Sequence, residues 1–348
     1  MSAKQIEVMV VNDSTYMRSL FSDLISSSSR LHVCDTANDG ADALRKIRKS
    51  KPDVVLLDLE MPNMDGLSFI ENVMPTTPVP IVLVSSYGQK GAGIVFDALE
   101  MGAVDFVPVP QDDPEKMRSL KDTLVSKIEI AAQTRHLKPG ARHVRRPESP
   151  VKRGEPKAEG SAVVVIGAST GGPGVVSDIM SRLPADLPAG VLIVQHMPEG
   201  FTKSFAERLN SLSRIPVREA RDGDAISAGS ALLSPGDFHM LVRQSRTVEL
   251  NKSPRRFGVR PAINMSMVSA AQVYGSKTVG VLLTGMGHDG AFGMKMIKRN
   301  GGRTVAQDEA SSVVFGMARA AAEMNAVDRL LPTESIPEEI ERMVAQAQ

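Results

Sequence analysis

The chain has 348 residues, enough for two domains of ordinary size, with the 42% hydrophobic and 23% charged content of a globular protein. The formal net charge of +1 and the absence of Trp argue against a nucleic-acid partner, and so small a charge gives no attraction to anionic membranes. A single cysteine, no signal-peptide pattern at the N-terminus and no apolar run near the ~20 residues of a membrane span predict a cytoplasmic protein without membrane insertion.

The N-terminal part of the chain alternates short apolar runs with helical patterns. The apolar runs predict strands at residues 6–11, 31–34, 54–57, 81–84 and 104–107. Strands that alternate with helices form a parallel sheet covered on both faces, so we predict a doubly wound α/β domain over residues 4–125. The loops that follow the strands of such a sheet meet at one edge, where ligands usually bind.

Polar side chains follow three of these predicted strands. Asn12 and Asp13 come after the first strand, Asp58 after the third, and Ser85 after the fourth. Two carboxylates can hold Mg²⁺, and a carboxylate can also act as a nucleophile that forms an acyl phosphate. The same residues have a plainer interpretation, in which Asp13 caps the following helix and Asp58 belongs to an ordinary loop.

The strings VVNDS, VVLLDLEMPNMDGL and GAVDF together resemble the receiver domain of two-component response regulators, which has a flavodoxin-like fold. The resemblance implies that Asp58 accepts a phosphoryl group, that Asp13 and Asp58 bind Mg²⁺, and that Ser85 is the switch hydroxyl. Two positions depart from the usual pattern, because Asn12 stands where the family usually has an acidic residue and Val109 where it has a lysine. Since the lost cation would pair with the phosphoryl group, we expect phosphorylation of Asp58 with weak or altered switching.

The composition changes over residues 134–161, which are rich in Pro, Gly, Lys and Arg. A segment with so few large apolar residues buries too little surface to become ordered, so residues 126–160 are predicted to contain a helix end and a flexible basic linker. Apolar runs then resume and predict strands at 163–166, 191–194, 231–234, 278–283 and 303–306. Residues 161–346 are therefore predicted to form a second doubly wound parallel-sheet domain, of Rossmann-like type.

Residues 167–171, GASTG, have the form G-x-S-x-G and lie between a predicted strand and a helix with Pro173 near its start. This is the context of a nucleophile elbow, in which a sharp turn exposes a serine hydroxyl, here that of Ser169. Two other interpretations stay open at this point: a glycine-rich turn that binds phosphate, and a plain turn capped by Ser169 or Thr170. The segment lacks both the G-x-G-x-x-G spacing and the lysine of a P-loop.

A serine nucleophile needs a neighbouring base to take its proton. His196 directly follows the strand predicted at 191–194, at the same sheet edge as Ser169, while His239 and His288 are further candidates. Asp289 lies in a glycine-containing loop after another strand, where a carboxylate would orient the imidazole and backbone N–H groups would form an oxyanion hole. The chain order Ser, His, Asp differs from that of α/β-hydrolases, so the arrangement would be convergent.

Several long strings resemble, in order, the catalytic domain of the CheB family of chemotaxis protein-glutamate methylesterases. They are VIGASTGGP, VQHMPEGFTKSFAERL, LLSPGDFHM, LLTGMGHDG and VAQDEASSVVFGM. The resemblance implies that Ser169 is the nucleophile, His196 the general base and Asp289 the orienting carboxylate. It also assigns the backbone amide of Met286 to the oxyanion hole and leaves His288 outside the triad.

The same resemblance implies a substrate and partners. Glutamyl methyl esters on methyl-accepting chemoreceptors would be hydrolysed without a cofactor, and receptor glutamines would be deamidated. A chemotaxis histidine kinase would phosphorylate the receiver, which would regulate the esterase, and Mg²⁺ would be needed in the receiver alone. The alternative is a non-catalytic two-component signalling adaptor that binds receptors or the kinase through degenerate domains.

Overall fold

The computed structural model describes residues 4–86, 89–110, 114–134 and 162–347. The chain divides into two compact units, Met1–His143 and Val144–Gln348. From position 135 onwards, the predicted linker lies outside the described residues. Among the helices of the described residues, none combines the length and the apolar character that a bilayer crossing requires.

The first unit has one parallel sheet with a helix after each strand in the part of the chain that the structure describes. The strands are β1 (Ile6–Val11), β2 (Leu31–Ala37), β3 (Val54–Asp58), β4 (Ile81–Ser86) and β5 (Asp105–Val109). The helices are α1 (Thr15–Ser26), α2 (Gly40–Ser50), α3 (Gly66–Val73), α4 (Gln89–Glu100) and α5 (Pro114–Gln133). The strand order is β2-β1-β3-β4-β5, and every neighbouring pair is parallel.

The apolar pattern of β1 explains the layers of this unit. Val8 and Val10 point to one face of the sheet, where they pack in a cluster with Phe21 of α1 and Leu124 of α5. Met9, which alternates with them, is equally buried. A strand buried on both faces is typical of a parallel sheet between two helical layers, so the loops after the strands are left free to form a site at the sheet edge.

The second unit contains a larger parallel sheet and a separate antiparallel pair. The strands are β6 (Ala162–Ala168), β7 (Ala189–Gln195), β8 (Val217–Glu219), β9 (Ser230–Leu233), β10 (His239–Val242), β11 (Val248–Asn251), β12 (Thr278–Leu282), β13 (Arg303–Gln307) and β14 (Arg329–Leu331). The helices are α6 (Gly172–Arg182), α7 (Thr202–Leu212), α8 (Ile263–Tyr274), α9 (Ala291–Arg299), α10 (Met317–Glu323) and α11 (Ile336–Gln346). The parallel sheet has the order β14-β13-β12-β6-β7-β9-β8, and β10 pairs with β11.

Each parallel sheet has one place where the strand order reverses direction. In the first unit the chain leaves β1 for β2 on one side and then crosses to β3 on the other. In the second unit β7 lies on one side of β6, and β12 and β13 lie on the other. Because the connections then run over opposite faces, a crevice opens at the carboxyl ends of the central strands. Both crevices are lined by the polar residues that the sequence singled out.

The structure confirms the predicted fold class of two doubly wound parallel sheets. Two short edge strands, β8 and β14, and the antiparallel pair β10–β11 are absent from the sequence prediction. Each of these strands has three or four residues, too few for an apolar alternation to be recognised. The antiparallel pair matters for the site, because the chain returns from it to the start of α8.

Candidate active site

Ser169 lies on a tight turn between β6 and α6. Gly171 has a left-handed φ of 73°, and a Cβ there would overlap the side chain of Val313, so only glycine fits this position without strain. The amide of Gly172 donates to the Ser169 carbonyl at 2.8 Å, which closes the turn at the start of α6. The strand ends at Ala168, so the serine hydroxyl emerges at the carboxyl edge of the sheet.

His196 reaches Ser169 because the two residues end neighbouring strands. The parallel pairing of β6 with β7 continues one step past the strand ends, where the His196 amide donates to the Ala168 carbonyl at 3.0 Å. The imidazole Nδ1 then lies 3.1 Å from Ser169 Oγ. Gln195 supports the same turn, since its side-chain amide donates to the Ser169 carbonyl at 2.9 Å.

Asp289 holds the other ring nitrogen of His196. Its Oδ2 lies 2.9 Å from His196 Nε2, and its side chain is only 3% exposed. The carboxylate also accepts backbone N–H groups from Ile263 at 2.7 Å, from Asn264 at 3.0 Å and from Gly290 at 3.0 Å. Ile263 and Asn264 are the first residues of α8, so the negative charge lies at the positive end of a 12-residue helix.

These contacts determine the charge of Asp289 and the proton position on His196. Burial would raise the pKa of Asp289, but the hydrogen bond and charge of His196, together with the backbone N–H groups, hold that pKa below its ordinary value. An ionised Asp289 accepts a hydrogen bond from Nε2–H, which leaves Nδ1 of the neutral ring as an acceptor for the Ser169 hydroxyl. The arrangement can therefore take a proton from Ser169 and stabilise the resulting imidazolium.

The loop after β12 packs directly against the serine. The Ser169 amide donates to the Thr284 carbonyl at 3.0 Å, and a Cβ on Gly285 would lie 2.6 Å from Ser169 Cβ. Thr284 Oγ1 donates to the Thr170 carbonyl at 2.9 Å, and the Thr284 amide donates to Gln307 Oε1 at 2.8 Å. Thr284 and Gln307 were not predicted as site residues. In the sequence, each of the two is a polar residue at the end of an apolar strand, and this is the pattern that could have identified them.

The remaining candidates of this unit have different positions. His239 is fully buried; its Nδ1 accepts from the Ala262 amide at 3.1 Å and its Nε2 donates to the Pro254 carbonyl at 3.3 Å. Burial lowers the pKa of His239, so it is a neutral ring that holds the chain before α8. His288 is exposed and lies beside Asp289 without joining its hydrogen bonds. Met286 has a half-exposed side chain, and the oxyanion-hole role of its amide stays a prediction.

In the first unit, Asn12 and Asp58 meet at the crevice between β1 and β3. Asn12 Nδ2 donates to Asp58 Oδ2 at 2.5 Å, while Asn12 Oδ1 accepts from the Ser14 amide at 2.9 Å. The Asn12 oxygen is thus already engaged, and its nitrogen faces the carboxylate. Ser14 rather than Asp13 caps α1, through its contact with the Met17 amide, so the capping interpretation of Asp13 is wrong.

The charge balance around Asp58 differs from that around Asp289. Burial raises the pKa of Asp58 to about 6, and the backbone N–H groups of Glu60 and Leu59 offset that effect in part, while the charges of Asp13 and Glu60 raise the pKa further. Val109, at the position of the family's lysine, pairs in register with Ser86, and Ser85 is buried at the end of β4. Among the described residues, no ion pair supplies Asp58 with a cation.

Comparison with known families covers both units. A family model described as CheB methylesterase matches residues 164–340, and one described as a response regulator receiver domain matches residues 8–121. The two matches fall in the second and the first unit respectively. The order of the two matched domains along the chain is therefore receiver first and methylesterase second.

Similar whole proteins and one solved structure agree with these matches. A protein of Pyrococcus abyssi named protein-glutamate methylesterase/protein-glutamine glutaminase is 45% identical over 99% of this chain and 95% of its own length. A protein of Symbiobacterium thermophilum with the same name is 43% identical over 99% of this chain and 98% of its own. The crystal structure of the Thermotoga maritima CheB methylesterase catalytic domain, 44% identical, covers 53% of this chain and 98% of that one, with a TM-score of 0.51.

Proposed function

This chain belongs to the CheB methylesterase family, and from that premise we propose that it hydrolyses protein glutamyl methyl esters with Ser169 as the nucleophile. The observation that carries the proposal is the unbroken hydrogen-bonded series from Ser169 Oγ to His196 Nδ1 at 3.1 Å and from His196 Nε2 to Asp289 at 2.9 Å. A non-catalytic adaptor has no need of such a series, so this geometry favours the enzyme over the alternative.

The first half of the reaction forms an acyl-enzyme. Ser169 Oγ bonds to the ester carbonyl carbon as its proton passes to His196 Nδ1, and the carbonyl electron pair moves onto the oxygen. Backbone N–H groups stabilise this oxyanion, and we assign that of Met286 to the task. Asp289 stabilises the imidazolium through Nε2–H. The intermediate then expels the methoxy group, which takes the proton from Nδ1 and leaves as methanol.

The second half restores the serine. Water gives a proton to His196 Nδ1 as its oxygen bonds to the acyl carbon, and Ser169 Oγ leaves with that proton. The product is a glutamic acid side chain, which releases its proton to water and becomes a carboxylate. A glutamine side chain presents the same carbonyl with an amino leaving group, which would depart as ammonia, so we propose deamidation as a second reaction of this site.

Methanol release tests the proposal directly. The probe is a methyl-esterified chemoreceptor fragment, and the variant is Ser169→Ala, which should lower kcat by about 10⁴ to 10⁶ because the nucleophile is lost. Ser211→Ala is a matched control, because this exposed serine bonds only to the Arg208 carbonyl on α7. If Ser169→Ala released methanol as fast as the unmodified chain, the proposal would be wrong.

For the first unit we propose that Asp58 accepts a phosphoryl group with the help of Mg²⁺. The carboxylates of Asp13 and Asp58 suit this hard cation, which would offset the charge of the phosphoryl oxygens. Asn12 turns its nitrogen towards Asp58, so we assign it no role as a metal ligand in this arrangement. The amide supplies no charge, and we therefore expect slow or weakly coupled phosphorylation.

Intact-mass measurement tests this second proposal. With a small phosphodonor and Mg²⁺, the chain should gain about 80 Da, the mass of one phosphoryl group, and Asp58→Asn should gain nothing. Asn12→Asp adds a third carboxylate beside Asp13 and Asp58 and should increase the fraction modified. An adduct that persists in Asp58→Asn would assign the modification to another residue.

The partners follow from the two activities. We propose methyl-accepting chemoreceptors as the substrate, a chemotaxis histidine kinase as the phosphodonor, and control of the esterase by the receiver.

The single cysteine, Cys34, is a free thiol in the structure. A free thiol and a receptor segment inside the cell both suit a reaction in the cytoplasm.

A further inference from the structure

Residues 252–260, here called the basic turn, contain a tight hairpin beside the candidate active site. The amides of Arg256 and Val259 each donate to the other residue's carbonyl, at 3.1 and 3.0 Å. Between them, Phe257 has a φ of 53° and Gly258 a φ of 78°. A two-residue turn with two left-handed residues normally carries Asn-Gly, because a bulky side chain is strained there.

Phe257 therefore occupies a position that its side chain disfavours. The ring is 59% exposed, so core packing does not offset the strain. It lies edge-on against His288, with ring centroids 4.5 Å apart and planes at 74°. His288 directly precedes Asp289 in the chain, so the exposed ring stands next to the Ser169–His196–Asp289 series. Strain that persists at an exposed residue beside a site points to a role in that site.

The charges of the basic turn are not balanced. Lys252, Arg255 and Arg260 all contact one carboxylate, that of Asp237. Arg256 is exposed and forms no ion pair in the part of the chain that the structure describes. Four cations thus stand against one anion at the edge of the site. A single-sign patch beside a cleft attracts and orients a ligand of opposite charge.

Two further exposed apolar side chains flank Asp289 in the chain. Met286 and Phe292 are about half exposed, and they stand three residues before and three residues after Asp289. With Phe257, they form three of the five large exposed apolar side chains in the described residues. The rim of the site thus offers both apolar contact and positive charge.

We propose that the basic turn is the docking surface for an acidic polypeptide segment that carries the glutamyl ester. The inference rests on the proposed function and adds to it the feature that the enzyme recognises around the ester. Arg256 would pair with a carboxylate that neighbours the esterified side chain, and Phe257 would pack on an apolar residue of the same segment. Because each hydrolysis creates a further glutamate, the product of one site would improve the binding of a neighbouring ester.

Two synthetic peptides test the proposal. Both carry one glutamyl methyl ester and one apolar neighbour, and they differ in having glutamates or serines around the ester. The unmodified chain should have about fivefold higher kcat/KM for the glutamate peptide, and ~0.5 M salt should remove this preference by screening. Arg256→Glu should abolish or reverse it. Arg303→Glu is the control, because exposed Arg303 begins β13 at the opposite edge of the sheet, and it should keep the preference.

The outcomes separate the two proposals. Equal Ser169-dependent rates for both peptides, or an Arg256→Glu variant that keeps the preference, would overturn the docking surface alone. If neither peptide released methanol in a Ser169-dependent way, the proposed function would fall and the docking surface with it.

Phe257→Asn adds a readout that a purely structural role would not give. Asn tolerates the left-handed turn, so this variant should melt at the same or a higher temperature than the unmodified chain. It should nevertheless lower kcat/KM for both peptides about threefold, because the apolar contact is lost. A variant that lost stability together with activity would show that Phe257 only holds the fold.

Discussion

The two units place polar residues at the same point of the same kind of sheet, yet the half-buried Asp58 and the buried Asp289 have opposite surroundings. Asp289 receives three backbone N–H groups and one from His196. Asp58 is partly shielded from water by burial; it receives the Asn12 side-chain amide and the backbone N–H groups of Glu60 and Leu59, with Asp13 as an unfavourable neighbouring charge. The pKa of Asp289 is accordingly lowered, and that of Asp58 is raised to about 6. The sheet topology determines where each carboxylate lies, and the groups around the carboxylate determine its pKa.

The comparison also shows what each site requires from outside. In the second unit, Ser169, His196 and Asp289 satisfy one another through hydrogen bonds within the chain. The acidic crevice of the first unit has an excess of negative charge that protons, a metal ion or a partner must offset.

Replacing Asp289, the carboxylate with more hydrogen-bond donors, should have the largest effect on activity. Asp289→Asn removes the charge that stabilises the imidazolium and no longer fixes the proton on His196 Nε2. We expect kcat for methanol release to fall about 10⁴-fold with little change in KM. Asp328→Asn is the matched control, because Asp328 also accepts a backbone N–H, from Thr304, and pairs with Lys298. If both variants lost activity equally, the effect of Asp289 would be structural.

Crowding the serine should have the next largest effect. A Cβ on Gly285 would lie 2.6 Å from Ser169 Cβ and would push the nucleophile away from His196. Because displacements of about 1 Å can cost about 100-fold in rate, Gly285→Ala should lower kcat by that order. Gly174→Ala, on α6 with no atom near the added methyl group, should leave the rate unchanged. A fully active Gly285→Ala variant would contradict the geometry of the elbow.

The smallest expected effect is the pH dependence of the free energy of unfolding of the first unit. The pKa of Asp58 is raised from 3.8 to about 6, so the folded unit binds this proton more tightly than the unfolded chain does. Its free energy of unfolding should therefore fall as pH rises from about 4 to about 6, by roughly 2 kcal/mol. Asp58→Asn should remove this loss and be more stable than the unmodified chain at pH 7. Hydrogen exchange of the β1 and β3 amides measures the effect; an unstabilised variant would contradict it.

Much of the site could be predicted because it depends on strand order. Ser169 and His196 each follow an apolar run, and consecutive strands of an α/β unit are usually neighbours, so their meeting follows from the pattern. The position of Asp289 follows in the same way from the strand before it. These predictions needed only the ends of strands, which a run of buried residues marks clearly.

The rest could not be predicted because it depends on contacts between distant segments. The helix end that holds Asp289 starts after Ala262, which is not a capping residue, so nothing in the sequence marks it. In the turn at Phe257 and Gly258, only the second position carries a residue that favours left-handed backbone, so the sequence does not mark Phe257 as left-handed. Asn12 was recognised as a lost charge, but its hydrogen bond to Asp58 depends on which way the amide is rotated.

The orientation of the His196 ring affects when the site is lost as the second unit unfolds on heating. Nδ1 is the ring nitrogen nearer the main chain, and it is the one that faces Ser169. The link between these two side chains is thus a short extension of the β6–β7 ladder. Backbone hydrogen bonds at the centre of a sheet are the last to open during unfolding. The contact between Ser169 and His196 should therefore be lost only when the whole unit unfolds.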